Sequence, residues 1–91
     1  MIIQDRFAGK VMVVTGGTSG IGKAVCLRAG AEGAKVVIAG RNQARGQAIE
    51  KEIREAGGEA TFIQCDVTQK EDIITLYAKT IEIYGQLDIA I

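Results

Sequence analysis

Short apolar runs alternate with stretches of helical periodicity along the whole chain. Three runs rich in branched residues lie at 10–15, 35–39 and 60–65, and a fourth, LDIAI, lies at 87–91. Apolar runs of this length are typical of strands that are buried on both faces of a parallel sheet. The order β-α-β-α-β-α-β predicts an α/β fold. Right-handed crossovers favour a doubly wound parallel sheet of strand order 3-2-1-4, with a crevice beyond the first and fourth strands.

Three helices are predicted between these strands. The first begins at Ile21 and ends near Gly33, and the second spans 43–56, with Glu50 able to pair with Arg54 on its exposed face. Its predicted buried positions are Ile49, Ile53 and Ala56. The third helix follows a T-x-x-E capping box at Thr68–Glu71 and ends at Gly85. Its predicted apolar stripe comprises Ile74, Tyr77, Ile81 and Tyr84.

The charge balance limits the classes of partner. Eleven Lys and Arg residues match eleven Asp and Glu residues, so no excess of positive charge favours nucleic acid or an anionic membrane. No apolar run approaches the roughly 18 residues of a membrane span. Residues 1–10 lack the basic and apolar regions of a signal peptide, so the expected location is cytoplasmic.

The cysteine and histidine content restricts the chemistry. Cys26 and Cys65 are far apart and form no C-x-x-C pair, so two reduced, partly buried thiols are expected. The chain contains no His, which excludes Ser-His-Asp and Cys-His triads within it, together with the common zinc sites. No metal site is therefore predicted.

A glycine-rich turn, VVTGGTSGIGKA at 13–24, connects the first strand to the first helix. From Gly17 it fits G-x-x-x-x-G-K, most of a nucleoside-triphosphate P-loop. A P-loop requires Ser or Thr after its Lys to place a hydroxyl on Mg²⁺. Here Ala24 follows Lys23, so a nucleotide-hydrolysing switch is disfavoured.

The same turn fits T-G-x-x-x-G-x-G better. Gly16 allows a tight turn, Gly20 keeps side-chain bulk off an approaching cofactor, and Gly22 lets the helix pack closely. The backbone N–H of Ile21 then lies at a helix N-terminus, where a diphosphate gains from free donors and from the helix dipole. The pattern predicts a dinucleotide site; the alternative is a loop that serves only as a turn.

The end of the second strand bears on the choice of dinucleotide. Folds of this type that bind NAD place an acid about 20 residues on, to hold the ribose 2′-hydroxyl. Here Gly40 and Arg41 occupy this place, and a guanidinium can bind the 2′-phosphate of NADP. Asn42 either caps the next helix or helps to hold the same phosphate. A solvated loop cation is the alternative role for Arg41.

Four landmarks together resemble the short-chain dehydrogenase/reductase family. They are the T-G-x-x-x-G-x-G turn, AGRN at 39–42, CDVT at 65–68 and YGQLDIAI at 84–91. The resemblance covers nearly all of the chain and implies a Rossmann-like, cofactor-binding N-terminal part. It implies that Ser19 and Ile21 lie by the adenosine ribose and the diphosphate, with Thr18 in the same loop. Further implied cofactor contacts are Arg41 as the mark of NADP over NAD, Asp66 on the adenine amino group unless it only opens the next helix, and Val67 on the adenine ring.

The resemblance also implies where the chemistry lies. Members of the family carry a Ser and a Tyr-x-x-x-Lys pair further along the chain, and neither Tyr77 nor Tyr84 has a Lys four residues later. We therefore expect no catalytic residue here, and expect 1–91 to be the N-terminal part of one domain in a longer protein. The implied parent is a homo-oligomer, a dimer or tetramer, that transfers hydride between NADP(H) and a small carbonyl or alcohol substrate. The alternative is a non-catalytic dinucleotide-binding or sensor module.

Overall fold

A computed structural model of the chain describes residues 7–16 and 18–91. The expected absence of a signal peptide rests on residues 1–10, of which 1–6 lie outside the described residues. Gly17, the first residue of the P-loop pattern, also lies outside them. Strands and helices alternate, as the sequence predicts. In chain order the elements are β1 (Val11–Thr15), α1 (Gly20–Ala31), β2 (Lys35–Gly40), α2 (Gln43–Glu55), β3 (Glu59–Gln64), α3 (Lys70–Tyr84) and β4 (Ile89–Ala90).

The four strands form one parallel sheet of order β3-β2-β1-β4, which confirms the predicted topology. Thr15 pairs with Ala39 and Gly40 pairs with Gln64. Because these pairs are at the carboxyl ends of their strands, the segments after β1, β2 and β3 leave the sheet side by side.

Alternate residues of the strands point to opposite faces of the sheet and pack into two separate hydrophobic cores. One core includes Val14 and Ile38 from the sheet with Cys26 of α1 and Ile53 of α2. The other includes Val37 and Ala39 with Leu76 of α3. Helices α1 and α2 therefore cover one face and α3 the opposite face, as a right-handed doubly wound sheet requires.

Most of the buried positions and the ion pair predicted for helix α2 are found in the structure. Ile49 and Ile53 are buried, and the Arg54 and Glu50 side chains approach to 3.5 Å. Glu50 is not simply a surface residue, because its carboxylate also accepts a bond of 2.5 Å from the backbone N–H of Phe62 in β3. The prediction that Ala56 is buried was wrong: it caps the end of the helix in solvent, and the helix packs through Gly46 instead.

The predicted start of α3 was one residue early. Gln69 is the N-cap and makes no side-chain capping bond, while the Thr68 hydroxyl donates to Asp66 rather than to the helix. The Asp72 carboxylate accepts from the Asp66 N–H at 2.9 Å, three residues before the N-cap, so this bond is not the return bond of a capping box. The capping box is therefore absent, because the Thr68 hydroxyl is hydrogen-bonded to the Asp66 carboxylate and does not cap the helix.

The predicted apolar stripe of α3 is also rotated. Ile74 and Ile81 are exposed, whereas Leu76 and Thr80 are fully buried. Thr80 occupies a core position because its hydroxyl donates to the carbonyl of Leu76 at 2.8 Å, which removes the cost of burying it. The predicted positions Tyr77 and Tyr84 remain half-buried at the edge of the core.

Candidate functional site

The turn after β1 is closed by the side chain of Ser19. Gly16 has φ of +70°, a conformation that glycine adopts without steric cost, which confirms the tight turn expected there. The Ser19 hydroxyl donates to the Gly16 carbonyl at 2.8 Å and accepts from the Gly22 N–H at 3.3 Å. The Ser19 side chain thus stabilises the turn and also serves as the N-cap of α1.

Two backbone donors in the first turn of α1 have no acceptor among the described residues. Ser19 accepts from the N–H groups of Gly22 and Lys23. Among the described residues, no acceptor pairs with the N–H of Gly20 or of Ile21. A helix N-terminus with free N–H groups and the positive end of its dipole is suited to an anion such as a diphosphate.

Space beside Gly20 is open. A methyl group added at this residue would meet no heavy atom of the described residues within 4 Å. Neither its backbone angles nor its packing requires glycine there. Gly22, by contrast, is buried in the helix. The open surface at Gly20 is therefore suited to close approach by a ligand, which is the role expected of this glycine.

A cleft of about 350 Å³ lies at the carboxyl ends of β1, β2 and β3. It is lined by Gly16, Thr18, Gly40, Arg41, Asn42, Cys65 and Val67. The fold brings five of the predicted cofactor residues together here, from three separate loops. Ser19 and Gly20 line an adjoining cleft of about 290 Å³, and Thr18 is common to both.

This cleft lies on the β3 side of β1, not in the crevice expected beyond β1 and β4. The end of β4 is instead tied to β1, because the Thr15 hydroxyl and N–H both donate to the Ile91 carbonyl at 2.8 Å.

Arg41 supplies positive charge to the cleft. Its guanidinium forms no salt bridge with any carboxylate of the described residues, whereas Arg54 is paired with Glu50. Its backbone carbonyl accepts from the side-chain amide of Gln64 at 3.3 Å. Arg41 is thus an exposed cation able to bind an anion in the cleft.

Asn42 caps α2. Its side-chain oxygen accepts from the N–H of Arg45 at 3.0 Å, so one of the two roles left open for this residue is established. The same side chain keeps its amide N–H groups, and these remain able to donate to a phosphate beside Arg41.

Asp66 and Val67 follow β3 at the edge of the cleft. The Oδ1 atom of Asp66 accepts from the N–H and the hydroxyl of Thr68, at 3.0 and 2.7 Å. These two bonds, with a smaller contribution from the charge of Arg41, lower the pKa of Asp66. Within the described chain no donor contacts its Oδ2 atom, which leaves one acceptor for a ligand. Val67 is half-exposed and lines the cleft.

Two lining residues were not predicted as site residues. Gly40 was considered only as the place of a missing acid, and Cys65 only as a buried thiol. Burial and the nearby charges of Asp72 and Asp66 raise the pKa of the Cys65 thiol, which keeps it protonated. Both cysteines are free and buried, as expected. Gly40 immediately precedes the predicted site residue Arg41, and Cys65 immediately precedes Asp66. This adjacency in the sequence could have identified both as lining residues.

The P-loop interpretation gains nothing from the structure. The Lys23 ammonium lies 3.9 Å from the Glu52 carboxylate, on the side of α1 that faces α2. Within residues 7–16 and 18–91, no group of three or more His, Cys, Asp or Glu side chains is placed to hold a metal ion. No described helix has both the length and the apolar character that crossing a membrane requires.

Tyr77 and Tyr84 both lie on α3, where they pack against the core that contains Leu76. Tyr84 lies at the far end of α3, where its hydroxyl bonds to that of Thr61 at 2.9 Å. Burial raises the pKa of Tyr84, the opposite of the change that would make it a base at neutral pH. Lys35 lies 5.9 Å from the centre of its ring.

Comparison with known proteins identifies the family. The sequence profile described as short chain dehydrogenase matches residues 10–91, which include every residue of the turn and the cleft. The chain belongs to the short-chain dehydrogenase family. A 3beta-hydroxysteroid dehydrogenase from Mediterraneibacter gnavus is 51% identical over 89 residues, which are 98% of this chain and 32% of that protein. An L-fucose dehydrogenase from Bos taurus is 43% identical over 88 residues, 97% of this chain and 31% of that protein.

Solved structures show the same fold. A citronellol catabolism dehydrogenase from Pseudomonas aeruginosa superimposes with a TM-score of 0.94 at 32% identity, over 99% of this chain and 38% of its own. A metagenomic short-chain oxidoreductase in complex with NADP superimposes with a TM-score of 0.87 at 36% identity, over 92% and 38%. This short-chain dehydrogenase chain thus spans about a third of the length of the relatives that it matches.

Proposed function

We propose that this chain is the dinucleotide-binding part of an NADP-dependent oxidoreductase. The parent protein transfers hydride between NADP(H) and a carbonyl or alcohol carbon of a small molecule. The observation that carries the proposal is that no acceptor among the described residues pairs with the backbone N–H groups of Gly20 and Ile21. These groups adjoin a cleft lined by Arg41, whose guanidinium forms no salt bridge with a described carboxylate. When bound, the dinucleotide supplies the hydride acceptor or donor.

Each part of NADP matches a chemical group of the site. The N–H groups of Gly20 and Ile21 bind the diphosphate, beside the Ser19 cap. The guanidinium of Arg41 binds the 2′-phosphate, with the Asn42 amide as a second donor. The free Oδ2 of Asp66 accepts from the adenine amino group, and Val67 packs on the ring. Gly16, Gly22 and Thr18 shape the loop.

The relatives support the reaction class. Two similar proteins are named as dehydrogenases of a hydroxysteroid and of L-fucose, and both of these compounds carry alcohols. One similar structure holds NADP. These names favour an enzyme over a non-catalytic module. We further propose that 1–91 is the N-terminal part of one larger domain, in a cytoplasmic homo-oligomer.

Charge reversal at Arg41 tests the cofactor preference. In the full-length protein, Arg41→Asp should weaken NADP binding by about tenfold or more, since one charge-assisted bond contributes about 1.5–3 kcal/mol. NAD binding should be spared or improved. Titration calorimetry with both dinucleotides measures this, and Lys79→Asp on the exposed surface of α3 is the matched charge-reversal control. Equal loss for both dinucleotides would show that Arg41 does not contact the 2′-phosphate.

The reaction class has a separate test. The full-length protein should oxidise NADPH in the presence of small ketones or aldehydes, or reduce NADP with the corresponding alcohols. Absorbance of the reduced nicotinamide follows both directions. Tight NADP binding without turnover, in a protein that lacks the Ser and the Tyr-x-x-x-Lys pair after Ile91, would establish the non-catalytic module instead.

A further inference from the structure

Thr18 packs directly against the backbone of Gly40. A Cβ atom built on Gly40 would lie 3.1 Å from both Cγ2 and Oγ1 of Thr18, and 3.7 Å from its Cβ. The 3.1 Å contact with Cγ2 is shorter than the ordinary van der Waals separation of about 3.5–4.0 Å between carbon atoms. Gly40 is buried, and Thr18 lines both clefts of the site.

Rotation of Thr18 does not remove every short contact with this Cβ atom. Its Cβ carries two heavy atoms and one hydrogen in three staggered positions, and two of these positions face Gly40. The single hydrogen can occupy only one of the two, so a heavy atom faces Gly40 in every rotamer. Serine has one heavy atom at this branch and can turn it away. Valine has two and cannot.

The backbone around Thr18 is also restrained. The Ser19 N–H donates to the Gly16 carbonyl at 3.1 Å, which closes the turn across Thr18. The Ser19 hydroxyl donates to the same carbonyl, and the Ser19 carbonyl accepts from Lys23 at 2.7 Å, in the first turn of α1. A displacement of Thr18 therefore disturbs the bonds that hold the proposed diphosphate site.

Position 40 lies 20 residues after Gly20, where an acid that binds the ribose 2′-hydroxyl of NAD would stand. We propose that Thr18 is a specificity-determining residue, because it keeps position 40 as glycine and so excludes the carboxylate that selects NAD. Preference for NADP is then set by Thr18 and Gly40 together with Arg41. This inference rests on the proposed dinucleotide function.

The test is a set of paired substitutions in the full-length protein. Gly40→Asp is made with Thr18 retained, with Thr18→Ser and with Thr18→Val. For each protein, calorimetry gives the ratio of NAD affinity to NADP affinity. We expect Gly40→Asp to raise this ratio at least about tenfold more when combined with Thr18→Ser than with Thr18 retained or with Thr18→Val. An equal rise in all three backgrounds would overturn the inference and leave the proposed function intact.

A measurement without cofactor keeps the inference testable if the Asp variants fold poorly. Gly40→Ala adds only the Cβ atom, and its melting temperature is compared in the same three backgrounds. With Thr18 retained or with Thr18→Val, the alanine should lower the melting temperature by about 2–4 °C more than with Thr18→Ser. Equal changes would show that Thr18 does not block position 40. Failure of the unsubstituted protein to bind either dinucleotide would overturn the proposed function, and this inference with it.

Discussion

At the scale of single residues, the two glycines at positions 16 and 20 in the turn after β1 are present for different physical reasons. Gly16 is required by the chain itself, since its φ of +70° is strained for other residues. Gly20 is not required by the chain, because its surroundings are open. We propose that Gly20 is needed for a ligand rather than for the fold.

Gly20→Ala separates these two demands. The free energy of unfolding should change by no more than about 1 kcal/mol, and in the stabilising direction, since alanine is the better helix former. The free energy of dinucleotide binding should become less favourable by about 1–3 kcal/mol, because the added methyl group would contact the diphosphate too closely. Urea unfolding and calorimetry give the two values. A destabilised protein with unchanged affinity would mean that Gly20 serves the fold alone.

At the scale of elements, the sequence predicted strands better than helix faces. A strand buried on both faces needs only an apolar run, and all four were found. A helix face depends on which side chains count as apolar, and Thr80 entered the core through a bond to the Leu76 carbonyl. Such a bond has no signature in the apolar pattern, so the buried face of α3 was misplaced.

The contact of α2 with β3 depends on Gly46. A Cβ atom there would overlap the ring of Phe62. Gly46→Ala should therefore lower the free energy of unfolding by about 1–3 kcal/mol despite better helix propensity. Gln47→Ala, at the next and exposed position, is the control and should change it by less than about 0.5 kcal/mol. Combining Gly46→Ala with Phe62→Ala should recover part of the loss; simple additivity would argue against the overlap.

The start of β4 is attached to β1 by a carboxylate. The Oδ2 atom of Asp88 accepts from the N–H of Val11 at 2.8 Å and from the side-chain amide of Gln86 at 2.7 Å. The bond from Val11, first, and that from Gln86 lower the pKa of Asp88 below its ordinary 3.8. A lowered pKa in the folded state stabilises the protein at pH values above the unfolded pKa, and this stabilisation is lost as the pH falls through the folded pKa.

Asp88→Asn should remove that dependence on pH. The variant keeps an oxygen acceptor but has no charge, so it should be less stable than the original at pH 7. The difference should shrink as the pH falls below about 4. Urea unfolding at a series of pH values measures it, with Glu82→Gln on the surface of α3 as the control. A difference that stays constant to the lowest pH would contradict the charge-dependent attachment.

At the scale of the whole molecule, topology followed from the order of elements, because crossover handedness leaves few arrangements. The residues that line the cleft could be predicted from the sequence only in part. Arg41 and Val67 were found from motifs, but the packing of Thr18 on Gly40 joins two loops that are distant in sequence. The spacing of residues along the chain does not reveal such a contact. Nor does it show that Arg41 forms no salt bridge with a carboxylate of the described residues.

The central claim is that the free N–H groups at the start of α1 bind the diphosphate of a nicotinamide dinucleotide. A crystal structure of the full-length protein with NADP tests it most directly. We predict diphosphate oxygens within about 2.7–3.2 Å of the backbone nitrogens of Gly20 and Ile21, with the 2′-phosphate at Arg41. A dinucleotide bound elsewhere, or one whose diphosphate contacts neither nitrogen, would contradict the account.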